Sequence, residues 1–206
     1  MKNIKAIIFD LGAVILNINY QKTIHEFEKL GIKNPKSFYS KQTQINLFDK
    51  FEIGKISAEE FILELQKATC HASFKDIRSA WNAMLLDLPK NRINLLEKLN
   101  KTYSIFLLSN TNTIHISEFK RKLGREKYLN FYNLFKKVYY SYKIGFRKPN
   151  TEAFRLILNE NKLPAHKVLF IDDSPQHIEG AKKIGIKTYH LQDNEEITTL
   201  FPDIAL

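Results

Sequence analysis

Ile4-Lys5-Ala6-Ile7-Ile8-Phe9-Asp10-Leu11-Gly12-Ala13-Val14 is the stretch that decides the fold. Ile4, Ala6, Ile7, Ile8 and Phe9 form a short apolar run with β-branched residues, which reads as a buried parallel strand. The run stops at Asp10. A carboxylate at the carboxyl end of such a strand sits in the crevice where open α/β sheets bind ligands. Gly12 lets the backbone turn tightly and approach a bound group. Taken alone, Asp10 reads equally well as a residue that caps a loop.

Working outward from Val14, the pattern becomes helical. Ile24, Phe27 and Leu30 are spaced for a helix over about 20–30, with Gly31 as its C-cap. Asn34-Pro35 breaks the chain before a helix expected around Phe38 to Phe48. Glu52 to Ile56 reads as a loop. Ser57 and Glu60 are spaced as a capping box and open a helix with Phe61, Ile62 and Leu65 on one face. A further helix is expected over about Ser73 to Leu86, with Ile77, Trp81 and Leu85 inward, and Leu88-Pro89 closes the region. No strand signal occurs between Tyr20 and Asp87.

From Pro89 strands and helices alternate. A helix with Ile93, Leu95, Leu96 and Leu99 leads to the buried strand Ile105 to Leu108, which ends in Ser109-Asn110-Thr111-Asn112. A helix begins near Thr113, and 124–133 reads as irregular. Val138 to Tyr140 is a strand, followed by Gly145-Phe146-Arg147-Lys148-Pro149. Pro149 permits a helix close behind it, with Ala153, Phe154, Ile157 and Leu158 inward. Val168 to Ile171 is a strand ending in Asp172-Asp173. A helix over about His177 to Ile184 stops at Gly185, and Lys187 to Leu191 is a last strand. Such alternation predicts an α/β fold, a Rossmann-like parallel sheet covered on both faces.

A chain of 206 residues, 44% hydrophobic and 26% charged, suffices for one large domain or one domain with an insertion. The single cysteine, Cys70, excludes an internal disulfide and fits a reducing compartment. Asp10 interrupts the N-terminal apolar stretch too early for a secretory signal, and no run approaches the roughly 18 apolar residues of a membrane span. A cytoplasmic protein is expected, with no membrane partner and no nucleic acid. The net charge of +10 reads as a solvated lysine-rich surface, because the lysines are scattered through every segment.

Four strand ends thus carry polar residues: Asp10; Ser109 with Asn110; Lys148; and Asp172 with Asp173. In a sheet of right-handed βαβ units they can share one crevice. Three carboxylates, one ammonium and two small hydrogen-bonding side chains suit a hard cation beside a phosphate, since Mg²⁺ prefers oxygen ligands and keeps several waters. Asp10 can serve as metal ligand and as nucleophile. Ser109, Asn110 and Lys148 can hold phosphoryl oxygens. Each also has a structural reading: Ser-Asn after a strand is commonly a helix N-cap, Lys-Pro is common in loops, and Asp-Asp before a helix complements its dipole.

On Phe9-Asp10-Leu11-Gly12-Ala13-Val14, Leu108-Ser109-Asn110, Arg147-Lys148-Pro149 and Ile171-Asp172-Asp173 with Gly180-Ala181, the chain resembles the haloacid dehalogenase-like hydrolase superfamily over essentially its full length. The combination of Asp-Leu-Gly with Ser-Asn-Thr-Asn and His115 is most similar to sugar-phosphate phosphatases of the α-D-glucose-1-phosphate phosphatase type. The resemblance implies a catalytic core of residues 1–15 and 89–206, and a helical cap inserted at 16–88. The cap's loop Glu52 to Lys55 would close over the substrate. It implies Asp10 as nucleophile, Asp173 as direct metal ligand with Asp172 behind it, the Gly12 carbonyl as a further ligand, and Ser109, Asn110 and Lys148 on phosphate. The expected activity is Mg²⁺-dependent hydrolysis of small phosphomonoesters through a phosphoaspartate, by a monomer or weak dimer.

One position departs from the family pattern. Most of its phosphatases carry a second Asp two residues after the nucleophile, whose side chain is the general acid and base. Here the residue is Gly12, which keeps the carbonyl and lacks the carboxyl. Such help is worth about 10²–10⁴-fold, so esters with acidic leaving oxygens, such as anomeric sugar phosphates, are expected to suffer least. His115 is a candidate replacement or a helix-surface histidine. A non-catalytic phospholigand binder is the alternative that Gly12 raises. A metal-independent dehalogenase is a second, which the pair Asp172-Asp173 disfavours.

Overall fold

The computed structural model describes residues 3–33 and 46–202. Five parallel strands form one sheet: β1 (Ala6–Phe9), β2 (Ser104–Ser109), β3 (Lys137–Tyr140), β4 (Val168–Asp172) and β5 (Lys187–His190), in the order β3-β2-β1-β4-β5. β1 is central. Phe9 is level with Leu107 of β2 on one side and Ile171 of β4 on the other. The residues that follow these strands therefore emerge side by side.

All four residues of β1 are fully buried. Alternate residues face opposite layers: Ile7 and Phe9 pack with Ile105, Leu107 and Ile171, whereas Ala6 and Ile8 pack with Phe106, Leu108 and Phe170. Burial on both faces explains why the inner strands β1, β2 and β4 are near-continuous apolar runs rather than alternating.

Between β1 and β2 lie α1 (Tyr20–Lys29), α2 (Asn46–Glu52), α3 (Ala58–Lys67), α4 (Phe74–Asn82) and α5 (Lys90–Leu99). Side chains that favour N-caps start three of them: Asn19 accepts from the Gln21 N–H, Ser57 forms a capping box with Glu60, and Ser73 accepts from the Asp76 N–H. Trp81 sits among Phe48 and Phe61, with ring centroids 5.3 and 5.1 Å away. The two connections to the sheet run antiparallel and hydrogen-bond to each other, Asn17 N–H to Asp87 at 2.9 Å and Leu86 N–H to Asn17 at 3.0 Å.

The remaining helices are α6 (Thr113–Leu123), α7 (Arg125–Asn133), α8 (Ser141–Ile144), α9 (Thr151–Glu160) and α10 (Pro175–Lys182). α9 and α10 cover the sheet face bearing Ile8, through Phe154, Ile157, Ile178 and Ala181.

The expected elements are present with four differences. Residues 125–133, expected to be irregular, form α7, because Tyr128 and Phe131 pack edge-on against Phe119. The helix expected to Leu86 ends at Asn82, since Met84 to Asp87 are taken up in the connection back to the sheet. α8 is an added turn before Gly145. The helix expected around Phe38 to Phe48 is seen from Asn46 to Glu52, which takes Glu52 out of the expected loop; its earlier part and the Asn34-Pro35 break lie outside the described residues. Among the described residues no helix is long and apolar enough to cross a membrane.

Candidate active site

Asp10 follows the last residue of β1, and its N–H donates to the Ile171 carbonyl at 3.0 Å, which extends the β1–β4 ladder to the site. Asp172 ends β4 and Ser109 ends β2. Lys148 comes from the loop before α9. Its side chain is fully buried, and its Nζ donates to Asp10 Oδ1 and to Asp172 Oδ2, both at 2.6 Å. The sheet thus brings together residues 138 positions apart.

A buried lysine costs much desolvation unless it is paired. Burial pulls Lys148 down, but Asp10 and Asp172 outweigh it, and the ammonium stays charged. Burial pushes the Asp10 carboxyl up, to about 7; Lys148 opposes this, while Asp172 and Asp173 add to it. Burial also acts on Asp172, but Lys148 and His177 hold that carboxyl down, at about 2. Lys148 thus favours the ionised form of both carboxyls and holds Asp172 the lower of the two.

Each oxygen of Asp172 is engaged. Oδ2 accepts from Lys148, and Oδ1 accepts from the Ser174 N–H at 2.8 Å and lies 2.9 Å from His177 Nδ1. His177 is a site residue missed in the sequence; its only signal is a histidine in the first turn of the helix after the acidic pair. Asn110 also has a use that its spacing did not reveal. Its Oδ1 accepts from the Lys148 N–H and its Nδ2 donates to the Lys148 carbonyl, both at 2.9 Å. The amide grips the lysine backbone from both sides and retains one N–H for a ligand. Ser141 staples the same loop, accepting from the Thr111 N–H at 2.9 Å and donating to the Thr111 carbonyl at 3.0 Å.

His115 lies buried between α6 and α4. Its Nδ1 is 2.9 Å from Asn82 Oδ1, and its ring stacks on Trp81 at 4.7 Å. Burial pulls it down to about 3, so the imidazole is neutral at ordinary pH and holds no proton to give as an imidazolium. It is neither the surface histidine nor the replacement acid of the sequence reading.

Oxygens of Asp10, Asp172 and Asp173 lie within 4.8 Å of one another. The three carboxyl groups outnumber the one ammonium, and their crowding adds to the burial that raises Asp10. An all-oxygen, anion-rich cluster at a strand-end crevice fits a hard dication such as Mg²⁺.

Residues 7–191 match the sequence profile described as haloacid dehalogenase-like hydrolase. A curated relative, D-ribitol-5-phosphate phosphatase of Bacteroides thetaiotaomicron, is 30% identical over 199 residues, spanning 94% of each chain. A haloacid dehalogenase family enzyme from the same organism, crystallised with magnesium and inorganic phosphate, superposes with a TM-score of 0.88 at 31% identity over 96% of this chain and 98% of that one. A haloacid dehalogenase-like hydrolase from Porphyromonas gingivalis gives 0.83 at 27% identity, covering 98% and 96%. With its central Asp10 strand, buried Lys148 and terminal acidic pair in place, this chain belongs to the haloacid dehalogenase-like hydrolase family.

Proposed function

We propose that the protein is a Mg²⁺-dependent phosphatase of small sugar or polyol phosphates that works through a phosphoaspartate on Asp10. The observation that carries this reading is the buried contact of Lys148 with both Asp10 and Asp172, beside Asp173. The phosphatase and the magnesium- and phosphate-bound relatives support it.

Asp10, Asp173 and the Gly12 carbonyl would hold the metal, with Asp172 behind them. Bound there, Mg²⁺ would supply charge neutralisation for the transferring phosphoryl group. Lys148 orients the Asp10 carboxylate and adds positive charge where the phosphoryl oxygens arrive. Ser109 offers a hydroxyl at the end of β2, and Asn110 acts chiefly by fixing Lys148, with one N–H left for phosphate. Asp10 attacks phosphorus as the ester oxygen departs, and water then cleaves the phosphoaspartate.

Residues 1–15 and 89–206 serve as the catalytic core in this reading, and 16–88 as a cap that shields the reaction from bulk water. The mutually bonded connections at 17–19 and 84–87 support that division. The protein works in the cytoplasm as a monomer or weak dimer, on a small phosphorylated substrate. The relative's name denotes an ester of a primary alcohol, which argues against confining this enzyme to anomeric phosphates because of Gly12.

The test is turnover of a panel of phosphomonoesters with and without Mg²⁺, with trapping of the phosphoenzyme. Turnover that needs Mg²⁺ and label on Asp10 are expected. Full activity in EDTA, or label on another residue, overturns the reading.

A further inference from the structure

Gly12 has no proton to give, and His115 is neutral and occupied, yet an alkoxide cannot leave phosphorus readily without one. Another buried titratable group, Glu52, pairs with Arg147, the residue before Lys148, and feels the Lys148 charge. Glu52 ends α2, with its side chain only 12% exposed. Its Oε2 lies 3.1 Å from Arg147 Nη2 but is sealed from solvent and accepts no well-aligned hydrogen bond. Arg147 immediately precedes Lys148 and also pairs with Asp49, one turn earlier on α2. The charged groups facing Glu52 are Arg147, Asp49 and Lys148.

The backbone keeps this carboxyl against the core. Gly54, two residues on, has φ +72°, and a Cβ there would run into the Tyr142 carbonyl. Only glycine lets the loop after α2 press onto the segment that leads to Lys148. A buried polar atom without a good partner is costly, and such atoms call for an explanation. Oε2 faces the Arg147 guanidinium, which leaves Oε1 as the oxygen to share a proton with a substrate.

We propose that Glu52 is the general acid and base of the reaction, contributed by the inserted helices in place of the carboxyl that position 12 lacks. The proposal rests on the phosphatase reading. As the bond from Asp10 to phosphorus forms and the ester P–O bond breaks, the Glu52 carboxylic acid gives its proton to the leaving oxygen, which departs as the alcohol. The carboxylate then takes a proton from the water that attacks the phosphoaspartate. The Asp10–phosphorus bond breaks, inorganic phosphate leaves, and Glu52 is again protonated. Burial pushes its carboxyl up, to about 7, against the pull of Arg147, so both forms are accessible near neutral pH, as this two-stroke role requires.

Leaving-group dependence tests it. An alkyl ester such as ribitol 5-phosphate needs the proton, whereas p-nitrophenyl phosphate does not. With saturating Mg²⁺, Glu52→Gln is expected to slow first-turnover alcohol release from the alkyl ester by about 10²–10⁴-fold and p-nitrophenol release by less than about tenfold. With p-nitrophenyl phosphate, whose first step is spared, phosphoenzyme should accumulate, because water loses its base. Equal losses for the two esters, or no loss for either, overturn the proposal. A wild type that hydrolyses neither ester defeats the phosphatase reading instead. Should the variant not fold, the wild type decides: kcat/KM for the alkyl ester should fall above about pH 7 relative to the aryl ester, and parallel profiles overturn it. Asp10 acts on both esters alike and cancels in that ratio.

Discussion

At the scale of single residues, the site is an arrangement of charges that disagree with one another. Lys148 serves both Asp10 and Asp172, yet burial, with two other carboxylates adding to it, leaves Asp10 with a raised pKa while Asp172 is held down. Asp10→Asn removes the proposed nucleophile while nearly preserving shape. It is expected to abolish turnover with no fall in thermal midpoint, since an amide oxygen can still accept from Lys148; calorimetry beside an activity assay checks it. Glu52 allows a prediction on stability. Its folded-state pKa is raised from 4.5 to about 7, so the folded protein binds this proton more tightly than the unfolded chain. The contribution of Glu52 to stability should therefore fall as pH rises from 4.5 to 7. The stability of Glu52→Gln relative to wild type should rise over that window and stay level below it, measured by urea unfolding at a series of pH values. Asp10, Asp172 and Lys148 were legible as residues that meet at one crevice because each lies at a strand end or in a Lys-Pro turn. His177 and Glu52 were not, because nothing local marks a histidine in a helix or a glutamate at a helix end.

At the scale of elements, the buried Lys148 is fixed by its neighbours. Asn110 grips its backbone, and α10 presses on the turn that follows: a Cβ on Gly180 would run into the Pro149 carbonyl. Gly180→Ala must push α10 and that turn apart. Overpacking of this kind costs about 1–3 kcal/mol, and because Pro149 adjoins Lys148, kcat should fall as well. A lowered thermal midpoint with unchanged kcat would show that the lysine turn tolerates the shift. Asn110→Ala frees the lysine backbone and should lower kcat while leaving the midpoint closer to wild type, since Asn110 is only partly buried. The inner strands β1, β2 and β4 were read correctly because parallel strands buried on both faces are nearly apolar throughout. α7 was not, because its two buried residues make a weak pattern and its helicity comes from packing on Phe119.

At the scale of the whole molecule, the inserted helices and one face of the sheet share a continuous apolar cluster, from Phe9 and Leu107 through Phe27, Phe61 and Trp81. The insertion is thus seated on the core, with Arg147 bridging to Asp49 and Glu52 at the edge. Crowded carboxylates within 4.8 Å mean that a dication should bind the folded state alone and stabilise it by mass action. Mg²⁺ at a hundred times its dissociation constant should add about 2.7 kcal/mol. A rise in thermal midpoint with Mg²⁺, lost in Asp173→Asn, is the expected result; a rise that persists in the variant would place the ion elsewhere.

The amino-acid sequence by itself determined the α/β class, the strands, the helical insertion and the four polar strand ends, because apolar period and chain order are local properties. Only the tertiary structure decided how those ends divide their work. Lys148 lies between Asp10 and Asp172, Asn110 holds the lysine backbone, His115 is walled in beside Trp81, and Glu52 stands against Arg147. A carboxyl's protonation and a side chain's partners depend on burial and on charges brought from distant positions, and local sequence carries neither.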